Sequence, residues 1–171
     1  MERPARRLPT KETVEGLYRE HGHVVLRRAR ALLGDEDEAR DVVQEVFMSL
    51  LDRPDQFEGR SAVTTWLYAV TTHACLSRLR NRRTRERLLR ERGSLDRAPS
   101  LPTGERFALV RQWLERLPEP LALVAVYSIV DGMTQQEIAD QIGGSRRRVG
   151  DLLKQIEETR PAGEPEPGGG P

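Results

Sequence analysis

The chain has 171 residues, enough for one domain or two small ones whose cores would each be modest. Its 28 Lys and Arg against 27 Asp and Glu leave a net charge of +1, so the total points to no class of partner and only local charge can. The lone Cys75 excludes an internal disulfide and fits a reducing compartment.

The N-terminal run MERPARRLPTKET is charged and lacks the apolar core of a secretory signal. No apolar run approaches the length that crosses a bilayer, so a cytoplasmic protein without membrane insertion is expected. Helical periodicity then dominates. In TKETVEGLYREHGHVVLRRARALLG, the residues Val14, Leu17, Tyr18, Val25, Ala29, Leu32 and Leu33 recur at helical spacing. Gly22 is a candidate kink or break, and Gly34 a candidate C-cap. Asp35 and Glu38 have capping-box spacing and open a second helix. There Val42, Val43, Val46, Phe47, Leu50 and Leu51 form one apolar stripe.

DRPDQFEGRS, with Pro54 and Gly59, reads as a loop, and Ser61 can cap a long third helix. That helix begins apolar and ends basic. From His73 to Arg92 there are eight arginines against Glu86 and Glu91, whereas Asp35 to Glu58 holds nine acidic residues against Arg40 and Arg53. Such a dipolar pattern suggests a polyanion at one end and a different partner at the other. GSLDRAPSLPTG follows as a flexible linker. A second helical block runs from Glu105 to Glu158, broken at Pro118 and Pro120 and turned at Asp131-Gly132 and Gly143-Gly144. The closing PAGEPEPGGGP is of low complexity and expected to be disordered.

Within that block, QQEIADQIGGSRRRVGDLL meets the requirements of a helix-turn-helix. Ala139 is small where the helices would cross, and Gly143 tolerates a positive φ in the turn. Ile138, Ile142, Val149 and Leu152 are placed to pin the helices together, and Thr134 with Glu137 has capping-box spacing. An ordinary helical hairpin is the plainer alternative. In the motif reading Ser145 opens the recognition helix and Arg146, Arg147 and Arg148 fill its first turn, where base edges are reached. Steps of about 100° per residue prevent all three from facing one groove. Backbone N–H groups near Gly144 can also hold a phosphate, and Lys154 adds a further basic group.

EARDVVQEVFMSLL, FEGRSAVTTWLYAV, LSRLRNRR and LPEPLALVAVYSIVDGMTQQEIADQIG, in this order, resemble the extracytoplasmic-function (ECF) sigma factors of bacterial RNA polymerase. The resemblance runs from about Leu17 to Ile156. It implies an all-α protein of two small helical domains joined by a flexible linker. A sigma region 2-like domain over 12–92 would be followed by the linker over 93–104. A region 4-like helix-turn-helix domain over 105–159 and a tail over 160–171 would complete the chain. It implies core polymerase and promoter DNA as partners and an anti-sigma factor as another; the residues themselves offer no ligand spacing for a metal, no cofactor motif and no enzyme site.

Residue by residue, Asp41, Gln44, Glu45 and Met48 match the positions that meet the polymerase. Phe57, Glu58, Gly59, Arg60 and Ser61 match the loop that captures a flipped base of the −10 element. Trp66 and Tyr68 would stack on unpaired bases, although Trp66 alone reads as a core residue. Arg78, Arg80, Arg82 and Arg83 suit the phosphate backbone. Gly144, Ser145, Arg146, Arg147, Arg148 and Lys154 would meet the −35 element. Two departures stand out. His73 replaces a common asparagine in the −10 reader, and RRRVGDLLKQIEE replaces a pattern like GTVKSRLxRAR. Two other readings remain open: a stand-alone helix-turn-helix repressor, and a protein-interaction module that no longer binds DNA.

Overall fold

The structure, a computed structural model, describes residues 11–53, 62–91 and 105–159, and all regular structure among them is helical. In chain order these are α1 (Lys11–Leu33), α2 (Glu36–Asp52), α3 (Val63–Glu91), α4 (Glu105–Leu114), α5 (Glu119–Ala125), α6 (Gln135–Ile142) and α7 (Arg146–Thr159). A π-helical turn, Val126–Val130, continues α5. The loop residues 54–61, the linker and the tail lie outside the described residues. No described helix is long and apolar enough to cross a membrane.

The boundaries follow local chemistry. Gly34 ends α1 at φ 70°, a left-handed conformation that favours glycine, and its N–H donates to the Arg30 carbonyl at 2.9 Å. Asp35 then caps α2 by accepting from the Glu38 N–H at 2.8 Å, which satisfies one orphan donor of the first turn. Gly22, the expected kink, interrupts nothing: α1 is one helix through it, and Gly22 packs beside the Tyr18 ring.

The chain divides into two compact units at Cys75 and Leu76, inside α3. In the first, α1 and α2 form a hairpin. Val25, Ala29, Leu32, Ala39, Val42, Val46 and Leu50 are buried, with Leu67 and Cys75 of α3. Each large apolar side chain buried this way stabilises by roughly 1.5–3 kcal/mol. Arg28 is buried among them. Its Nε donates to Thr72 Oγ1 at 2.8 Å and its guanidinium lies 4.3 Å from the centre of the Tyr68 ring. The Thr72 hydroxyl in turn donates to the Tyr68 carbonyl.

In the second unit α5 is apolar all round, and Leu121 to Val126 are all buried. Pro118 precedes its first turn, where a missing N–H costs nothing. Trp113 of α4 is buried and its Nε1 donates to the Thr159 carbonyl at 3.0 Å, tying α4 to the end of α7. The Arg111 guanidinium is also buried. Burial pushes its pKa down, and the charge of Arg82 pushes the same way, against the pull of Glu115.

Candidate functional site

Three groups of candidate functional residues can be placed. On α2, Asp41, Gln44, Glu45 and Met48 are all exposed, while Val42, Val43, Val46, Phe47 and Leu50 are buried. The spacing i, i+3, i+4, i+7 puts the exposed four on one helix face. Leu51, expected in the buried stripe, is instead exposed, as is Tyr18 of α1. Together with Phe47, Met48 and Gln44 they line a groove of about 910 Å³ between α1 and α2. The Tyr18 ring meets Phe47 edge-on at 5.1 Å, so its exposed position is fixed by an aromatic contact. Periodicity assigns Tyr18 and Leu51 to the apolar stripe but does not show that they sit at its edge.

On α3, His73 is exposed and Trp66 and Tyr68 are half-buried. One face of the Tyr68 ring is covered by Arg28, so that face is closed to a stacking base. Phe57 to Ser61 lie outside the described residues. Further along α3, within the second unit, the arginines expected to face phosphate have acidic neighbours. Arg80 pairs with Glu119 at 3.1 Å and Arg82 with Glu115 at 2.9 Å, while Arg83 donates to the Glu115 carbonyl at 3.2 Å. Arg78 is half-buried. The arginine cluster is legible in the sequence; its carboxylate partners lie more than thirty residues away and carry no local signal.

The turn between α6 and α7 has the geometry the motif requires. Gly143 adopts φ 65°, and the N–H groups of Gly143 and Gly144 both reach the Ala139 carbonyl. Thr134 and Glu137 close a full capping box. Two hydrogen bonds from Thr134, the backbone one foremost, hold the Glu137 carboxyl below its usual range. Ser145 caps α7, its hydroxyl accepting from the Arg148 N–H at 3.2 Å. Ile138, Ala139 and Val149 are buried, Ile142 and Leu152 are half-buried, and Ile156 joins the core. Ile156, one heptad after Val149, is a pin that the motif pattern alone does not include.

Arg146, Arg147 and Arg148 are all exposed, but they part company. Arg146 and Arg147 line a shallow depression of α7 with Gly150, Asp151, Lys154 and Gln135. Arg148 is absent from that lining, and its Cδ lies on the side of the turn at Gly144. Two arginines and a lysine therefore share one outward face with Asp151 and Glu157.

The sigma-70 region 2 family matches residues 17–85, which hold the α2 face and most of α3. The chain is 32% identical over 99 residues to the ECF RNA polymerase sigma factor SigG of Mycobacterium tuberculosis. That match covers 56% of the chain and 25% of SigG. A longer match, 29% identical over 150 residues, covers 80% of the chain and 75% of SigM from the same species, also an ECF RNA polymerase sigma factor. The chain is thus similar to ECF sigma factors over most of its length, with sigma-70 region 2 matched over residues 17–85. The solved structure of CnrH in complex with the cytosolic domain of CnrY matches with a TM-score of 0.51 and 21% identity. The match covers 88% of this chain and 86% of that one. The α2 face and the α3 residues fall inside the region 2 match, whereas the helix-turn-helix lies beyond it.

Proposed function

We propose that this protein is an ECF sigma factor, a promoter-recognising subunit of bacterial RNA polymerase. Core polymerase binds the α2 face of Asp41, Gln44, Glu45 and Met48. The loop Phe57, Glu58, Gly59, Arg60 and Ser61 captures a flipped base of the −10 element, Trp66 and His73 assist, and the duplex opens there. Arg78, Arg80, Arg82 and Arg83 hold the phosphates alongside. The −35 element is met by Gly144, Ser145, Arg146, Arg147, Arg148 and Lys154. An anti-sigma factor is a further partner, as NepR is for the sigma factor RpoE of Bartonella quintana in their joint structure.

The observation that carries this reading is the α2 face. Four polar or flexible side chains are exposed in one row over a buried valine stripe, inside the segment that matches region 2. A row of polar groups flanking a methionine suits a protein partner better than a bare acidic face does.

The test is reconstitution with core polymerase and run-off transcription over a promoter library. Initiation at a defined set of promoters is expected; no start sites above the background of core enzyme alone would overturn the reading. A stand-alone repressor would instead bind duplex tightly without polymerase.

A further inference from the structure

The depression on α7 contains an anomaly. Gly150 and Asp151, two poor helix formers, stand side by side in the middle of a 14-residue helix. Nothing among the described residues demands the glycine. A Cβ added there would meet only Gln135 Oε1, at 3.8 Å, an ordinary contact. A helical glycine whose side-chain space is open to the outside favours close approach of another molecule to the helix backbone.

Asp151 is equally unexplained by the fold. It follows Arg147 at i+4, the spacing for a helix ion pair. Yet among the described residues neither side chain makes an ion pair or hydrogen bond, and the same holds for Arg146 and Lys154. Both Arg147 and Asp151 are exposed and border the same depression. Facing a DNA phosphate, the carboxylate would be repelled. Facing base edges, it is an acceptor, and the base-pair edge with a lone donor in the major groove is the N4 amino group of cytosine.

Resting on the −35 reading above, we propose that Asp151 is a base-reading residue whose carboxylate accepts from the N4 amino group of a cytosine in the −35 element. Gly150 admits the helix backbone to the depth this contact needs. Arg147, one turn earlier on the same face, supplies the paired donors that suit a guanine's O6 and N7. The carboxylate discriminates in both directions, because the O6 and N7 of guanine and the O4 of thymine are acceptors that it repels.

The experiment uses the full chain with core polymerase on templates whose −35 region is randomised, reading which sequences yield transcripts. The wild type should enrich cytosine about tenfold at one −35 position, in line with the usual cost of one mismatched pair. Asp151→Ala should flatten that position to near parity while the −10 preference and the other −35 positions persist. Asp151→Asn should move the preference toward adenine, whose N6 and N7 suit an amide. Gly150→Ala should lower −35-dependent output several-fold at every sequence. Its α7 should stay folded, since the methyl fits within the protein.

A −35 preference that Asp151→Ala leaves intact overturns the assignment to Asp151 alone, as does one with no cytosine at any position. Start sites without any −35 preference overturn the −35 reading and this proposal together. No start sites at all overturn the sigma function itself.

Discussion

At the scale of single residues, two kinds of electrostatics give opposite guidance about what a substitution does. Arg28 is a buried cation satisfied by Thr72 and the Tyr68 ring. Arg28→Met keeps the packing of the stem and removes the hydrogen bond and the cation–π contact. Thr72 still donates to the Tyr68 carbonyl, so no orphan hydroxyl is left. The expected loss is about 1–3 kcal/mol, read as a lower urea midpoint at unchanged m-value. Glu36 and Glu137 are exposed and act through pH instead. The Arg30 hydrogen bond, then the charges of Arg30 and Arg40, lower the Glu36 pKa from its ordinary 4.5; Thr134 lowers that of Glu137. A carboxylate whose folded pKa is depressed adds stability above its unfolded pKa and loses it as pH falls through the folded value. The urea midpoint should therefore hold between pH 7 and 5 and decline below the ordinary value of 4.5. Glu36→Gln with Glu137→Gln should shallow that decline, and an unchanged slope would remove these two groups from the account.

At the scale of elements, the helices were legible wherever the determinant was local. Gly34, Asp35, Thr134 with Glu137, and Gly143 each terminate or begin a helix through chemistry confined to four or five residues, and each does so in the structure. The exposed row of α2 likewise follows from spacing over a valine stripe. What the sequence did not disclose depends on distant residues. Trp113 is 46 residues from its acceptor at Thr159, and no periodicity in α4 announces that bond. Arg28 looks like a surface residue in a basic stretch until α3 is packed beside it. The candidate site was legible as a set of residue types, but the division of Arg146 and Arg147 from Arg148 needed the position of the turn. The Trp113 bond also makes a prediction about α7. Trp113→Phe retains most of the buried ring and frees the Thr159 carbonyl at the helix end. The last turn of α7 should fray, seen as faster amide hydrogen exchange over residues 155–159 while Val149 stays protected. Uniform loss of protection along α7 would mean the ring, rather than the bond, holds the helix.

At the scale of the whole molecule, the sum of charges is near neutral, but the charges proposed to meet promoter phosphate are arranged in competition. Arg80 and Arg82, proposed to hold promoter phosphates, are paired with Glu119 and Glu115 inside the second unit. The side chains of Arg80 and Glu119 are 34% and 49% exposed, so this pair is worth no more than about 1 kcal/mol and a phosphate can displace the carboxylate at little cost. The Arg82 pair is more enclosed, with Glu115 only 13% exposed, and is the harder one to break. DNA binding by this segment is then an exchange of intramolecular acceptors for phosphate oxygens, and removing the acceptors should favour DNA. Glu115→Gln with Glu119→Gln keeps both side-chain shapes and removes these two carboxylate partners of the arginines. Affinity of the free protein for non-specific single-stranded DNA should rise about three- to tenfold, measured by fluorescence anisotropy. A salt series adds the decisive readout. If Arg80 and Arg82 both meet phosphate, their removal as a pair should reduce the slope of log affinity against log salt by about 1.4 on single strands. The glutamine variant should raise affinity without reducing that slope. An unchanged affinity in the glutamine variant would mean that these arginines serve the packing of the second unit and leave the phosphates to other residues.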